Sequence, residues 1–92
     1  MIESFKNKGL RSLFEEDDAR KVSADHVDRL RLILSALDQA GDVQDMNQPL
    51  FRLHPLKGSR KGVRTVTVRA NWRLTFRFEG GDAYDVALED YH

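Results

Sequence analysis

The chain contains no cysteine. That excludes a disulfide framework, a thiolate zinc site and a cysteine nucleophile, and it suits a reducing compartment. Long apolar runs are missing as well. The opening "MIESFKNKGLRSLF" lacks the hydrophobic stretch of a signal peptide, and no segment is apolar enough to span a bilayer. A soluble, cytoplasmic protein with no membrane partner is the expectation. Net charge is also absent, with 15 Lys/Arg against 15 Asp/Glu, but this average hides a division. Residues 1–51 carry seven basic and ten acidic side chains, residues 52–92 eight and five. All eight of those later cations fall between Arg52 and Arg77, a stretch with no carboxylate. Such a block suggests a surface that faces a polyanion.

With 92 residues the chain is expected to form one domain, 1–92, that buries only about two-thirds of its unfolded surface. The first residues, "MIESF", suit a short strand with Ile2 and Phe5 as apolar positions. Leu10, Leu13 and Phe14 follow at helical spacing. After the polar connection 15–21, Ser23 suits an N-cap, with Asp25 in the first turn. Val27, Leu30, Ile33, Leu34 and Leu37 then form one stripe, so the main helix is expected over 23–40, stopping at Gly41. "GDVQDMNQP" reads as a polar loop.

From there the pattern turns to strands. "LFRLH" is one candidate, broken by Pro55, and "VRTVTV" is another. "WRLTFRFE" alternates clearly, with Trp72, Leu74, Phe76 and Phe78 on one face and Arg73, Thr75, Arg77 and Glu79 on the other. "AYDVALED" follows the turn "EGGD", with Tyr84, Val86 and Leu88 expected inward. The order predicts an α+β fold: an N-terminal strand and two helices packed on one face of a small antiparallel sheet.

The other face then displays Arg73 and Arg77. The loop "RLHPLKGSRKG" brings Arg52, His54, Lys57, Arg60 and Lys61 beside it, and the last strand carries Asp90, Tyr91 and His92 to one end of the sheet. Cations stabilise charge on phosphate oxygens, imidazole exchanges protons near neutral pH, and a phenol ring stacks on an unpaired base. No carboxylate–histidine spacing supports a metal site, so no metal and no cofactor are expected. Attack by an RNA 2′-hydroxyl on the neighbouring phosphate is then the economical chemistry. Taken singly, these residues have plainer readings. His54 suits a satisfied loop histidine, Lys57 a surface lysine, and His26 a structural or solvent role. Composition and spacing make nucleic-acid binding plausible and RNA cleavage possible.

At "FRLHPLKGSRKG", "NWRLTFRF" and "EDYH" the sequence resembles the HigB, or plasmid-maintenance killer protein, branch of the RelE/ParE toxin superfamily, over nearly its whole length. The resemblance implies a RelE-like fold and a ribosome-dependent mRNA endoribonuclease, the toxin of a type II toxin–antitoxin pair. It implies a helix-turn-helix, HigA-like antitoxin, the ribosome and mRNA as partners, and operator DNA only through the antitoxin complex. Carried across, Lys57 and Arg73 hold the scissile phosphate, and His54 positions it or shares in proton transfer. Asp90 and His92 are the acid and base in either order, and Tyr91 orients the nucleotide. Arg52, Arg60, Lys61, Arg64 and Arg77 are candidate RNA contacts. Two positions depart from the family pattern. Arg64 stands where an aromatic is common, and Ala70 where a turn glycine is, though Asn71 can still tolerate a left-handed conformation. Two other classes remain open: a toxin of the same fold acting on a protein such as DNA gyrase, and a nucleic-acid-binding module.

Overall fold

The computed structural model describes residues 1–90. Two helices, α1 (Lys8–Glu16) and α2 (Val27–Gln39), cover one face of an antiparallel sheet ordered β1 (His54–Pro55), β2 (Val63–Arg69), β3 (Trp72–Glu79) and β4 (Asp82–Asp90). The α2 stripe drives the packing. Leu30, Ile33, Leu34 and Leu37 are completely buried against Val66, Leu74, Phe76 and Val86. Each such side chain contributes about 1.5–3 kcal/mol relative to remaining in water. From α1, Leu10 and Leu13 join this core, and Phe14 packs on its margin.

The helix entrance differs from the sequence expectation. A 3₁₀ turn, Ala24–His26, precedes α2, and the Ser23 side chain caps nothing. Its backbone carbonyl does the work instead, accepting from the His26 N–H at 2.9 Å. The expected polar loop is also organised. Asp42 and Asp45 form a reciprocal capping box around a 3₁₀ turn, Val43–Met46, that presses Met46 into the core with no exposed surface. One apolar residue among polar ones gives no periodicity, which is why the pattern read as unstructured.

Pro55 does not break the first strand; it is half of it. Because β1 lies at the sheet edge, a residue without an N–H is tolerated there. The strand is short for another reason: Arg52 adopts a left-handed conformation (φ 53°), which turns the chain before it can pair.

In β4 the expected inward set is partly wrong. Asp85 is also left-handed (φ 55°), and the register shifts opposite Thr75–Arg77. This bulge changes the phase of the strand. Ala83 and Val86 enter the core, Leu88 packs at its margin, and Tyr84 is left outside it, opposite Arg77. The N-terminal residues run parallel along β4, with bridges Ile2–Ala83 and Phe5–Val86. Side chains complete the seam. Ser4 Oγ accepts from Asp85 N–H and Asn7 Oδ1 from Leu88 N–H, both at 2.8 Å. Asp38 of α2 accepts from Ile2 N–H at 3.0 Å. The strand leading to the "EDYH" end is therefore held by its neighbours on both sides.

Candidate active site

Strand alternation and register decide which side chains share the sheet face away from the helices. Partners directly opposite point the same way. His54 lies opposite Thr65, Thr65 opposite Thr75, Thr67 opposite Arg73, and Arg73 opposite Glu89. His54, Arg73, Glu89 and three threonines thus form one polar field. Arg64 is out of phase with it, sharing the phase of Val66 and Val68 of the core. Asp90 lies opposite Trp72, whose ring packs at the core margin, so it leaves the strand on the helix side.

An open depression of about 370 Å³ is lined by Arg52, His54, Leu56, Thr65, Thr67 and Arg73. The chain builds it from two local features. The left-handed Arg52 turns the segment toward the sheet, and Phe51 beneath it is buried, its carbonyl accepting from Thr67 N–H at 2.7 Å. Arg29 of α2 secures that turn. Its guanidinium bonds the Leu50 and Thr67 carbonyls and sits 5.6 Å from the centre of the Phe51 ring. The sequence gives no hint of this role for Arg29, because a cation on the polar side of a helix stripe shows no sign of a tertiary partner.

Arg73 donates from Nη1 to the Ala70 carbonyl at 2.7 Å. Its Nε and Nη2 bond no partner among the described residues, so one edge of the fork is fixed and the rest faces the depression. The turn that fixes it is strained. Ala70 itself carries the positive φ (51°), and Asn71 does not. The register pairing Arg69 with Trp72 leaves Ala70, and not the more tolerant Asn71, as the residue that reverses.

The face is less open than its composition suggests. The 3₁₀ turn Gly58–Arg60 folds over it, and Arg60 grips Glu89 with two parallel bonds of 2.8 and 2.6 Å. Glu89 Oε2 also accepts from Thr75 Oγ1 at 2.8 Å. Thr75, expected on the open face, is buried, and so is Thr65. The Arg60 bonds hold the Glu89 carboxyl below its ordinary range; burial opposes this, and the Thr75 hydroxyl and the charge of Lys6 assist it. Glu89 is the functional candidate that a search for cations passed over. The only signal was its position in "EDYH".

The remaining expected residues are distributed around this centre. Lys57, Lys61 and Arg64 line a neighbouring depression of about 430 Å³ with Gly58 and Gly62. Arg77 pairs with Glu79 at 2.9 Å. The structure therefore joins His54, Arg52 and Arg73, sets Lys57 in an adjoining hollow, and occupies Arg60 and Arg77 with carboxylates. Tyr91 and His92 lie outside the described residues.

Comparison with known proteins gives a consistent picture. Residues 3–92 match the family described as the RelE-like toxin of type II toxin–antitoxin system HigB. The chain is 51% identical over 92 residues, all of both proteins, to "Endoribonuclease HigB" of Proteus vulgaris. Among solved structures, a YafQ mutant from E. coli aligns with a TM-score of 0.60 at 18% identity, covering 98% of this chain and 91% of that one. YafQ from E. coli strain BL21(DE3) aligns at 0.53 and 17%, with the same coverage. At these identities the structural likeness shows the fold.

Proposed function

Since the chain belongs to the RelE-like HigB toxins of type II toxin–antitoxin systems, we propose that the polar face of its sheet cleaves messenger RNA held by the ribosome. The activity is that of an endoribonuclease. The observation that carries the reading is the depression that His54, Arg52 and Arg73 line together.

In this reading the 2′-oxygen of one nucleotide attacks its own 3′-phosphorus. Its proton passes to a base, the bond from phosphorus to the next 5′-oxygen breaks, and an acid protonates that oxygen. The products are a 2′,3′-cyclic phosphate and a 5′-hydroxyl. The free edge of Arg73 suits the equatorial phosphate oxygens, whose charge grows in the transition state. Lys57, one hollow away, supports the same charge or the adjoining phosphate. His54 stands where it can exchange a proton. The remaining acid, base and stacking roles are assigned to Asp90, Tyr91 and His92, with Asp90 acting from the helix-side margin where it leaves β4.

An antitoxin is the partner of a type II toxin, and we assign it the helix-turn-helix, HigA-like class. The few cations around the depression bind naked RNA weakly, so the ribosome must position the message. Purified protein added to translating ribosomes is expected to leave mRNA fragments with new 5′-hydroxyl ends, and to cut free RNA far more slowly. Intact message on ribosomes, with wild type and Lys57→Ala equally inert, would overturn the proposal.

A further inference from the structure

A larger depression, about 470 Å³, lies on the helix side of the sheet at the start of α1, where Lys6, Lys8, Gly9, Lys21, Ser23 and His26 line it and, among the described residues, no carboxylate does. We propose that it is a second phosphate-binding site, taking a backbone phosphate of the same RNA whose scissile phosphate lies on the polar face. The inference therefore rests on the cleavage reading above.

Three independent observations meet there. The N-terminal N–H groups of α1 have no side-chain cap, because Asn7 at the N-cap position spends its side-chain oxygen on Leu88 N–H. Uncapped amides at a helix start favour an anion. His26 is the second observation. It is 6% exposed, it lines the depression with its ring 5.2 Å from the Trp72 ring centre, and its buried Nδ1 has no hydrogen-bond partner among the described residues. A buried ring nitrogen left unbonded is costly unless something completes it. The third is the close approach of the walls. A side chain at Gly9 would meet the Lys21 carbonyl oxygen at 3.0 Å and the Lys21 Cβ at 3.1 Å, so glycine is what lets the 21–23 segment close on the helix start.

The charge and position favour RNA over an acidic protein segment. Lys6 also lines the hollow on the polar face that holds Arg60, Thr75 and Arg77, and its charge reaches Glu89. One lysine thus belongs to both depressions, and Lys6 joins the proposed cleavage face to α1, past the Asp85 carboxylate that shares the polar-face hollow. A chain of regularly spaced phosphates fits such a link.

The test uses the full chain, ¹⁵N-labelled, titrated with inorganic phosphate and then with a 2′-deoxy single strand that cannot be cut. Saturable shifts of the Lys8, Gly9 and Leu10 amides and of the His26 ring nitrogens are expected with both. Lys8→Ala combined with Lys21→Ala should abolish them, weaken strand binding, and lower the slope of log affinity against log salt by about 0.7, one phosphate's share. Unchanged Leu34 and Phe76 signals confirm that this variant is folded. Absent shifts at α1, or shifts produced by an aspartate-rich peptide but by neither phosphate nor the strand, would overturn the inference. Binding is read here without cleavage, so a failure at α1 is distinguishable from a failure of the cleavage assay.

Discussion

The two faces of the sheet are built from the same strands yet obey different rules. Toward the helices, Leu74, Phe76, Val66 and Val86 are wholly buried and interchangeable in kind, since any well-packed apolar set satisfies that side. Away from the helices, Thr75, Glu89, Arg60, Arg73 and His54 are held by specific bonds or register positions. The first face sets where the strands lie, and the second spends that precision on charge placement. A side chain can therefore matter greatly to one property and little to the other.

Substitutions on each face sharpen the contrast. Leu34→Ala should be the most damaging to stability, costing about 2–5 kcal/mol by removing a completely buried side chain and leaving a cavity. Thermal or denaturant unfolding measures this. Arg73→Ala should leave the unfolding midpoint nearly unchanged, because only local bonds from Nη1 to the Ala70 and Trp72 carbonyls are lost. It should nevertheless slow cleavage on ribosomes by about 10²–10³-fold, the usual effect of removing one donor to a developing oxyanion. Equal losses of stability and activity in both variants would erase the distinction between the faces.

Arg29→Ala tests the link between them. Losing its bonds to the Leu50 and Thr67 carbonyls should destabilise the protein by about 1.5–3 kcal/mol. It should also raise hydrogen exchange around Phe51–His54, measured by mass spectrometry. Unchanged exchange there would show that the 50–52 turn needs no anchor. A smaller effect of opposite sign is expected from Ala70→Gly, a gain of about 1 kcal/mol as the left-handed strain disappears.

The Glu89 pair predicts a pH dependence. Its carboxyl is depressed in the folded state, so its contribution is present above the ordinary carboxylate value and disappears as pH falls through the depressed one. Glu89→Gln should flatten the acid limb of the stability profile, read as unfolding midpoint against pH. An unaltered limb would mean that the ion pair adds no net stability.

These particulars also show which features a sequence carries. The α2 stripe and the alternation of β3 were legible because periodicity reports burial directly. The bulge at Asp85 was not: a single aspartate in a left-handed conformation looks like any strand residue, so Tyr84 was assigned to the wrong side. Met46 was hidden for a similar reason, as an isolated apolar residue has no period. In the candidate site, the cations and His54 stood out by charge and spacing. Arg29 and Glu89 act through tertiary bonds formed between distant segments, which no local pattern encodes.

The central claim is that side chains on the polar face drive attack by the message's own 2′-hydroxyl. Its most direct test is an mRNA carrying one 2′-deoxy nucleotide at a mapped cleavage position, presented on the ribosome to the wild-type protein. Cleavage at that position should vanish while neighbouring positions are still cut, each leaving a 2′,3′-cyclic phosphate. Undiminished cleavage at the 2′-deoxy nucleotide would contradict the account.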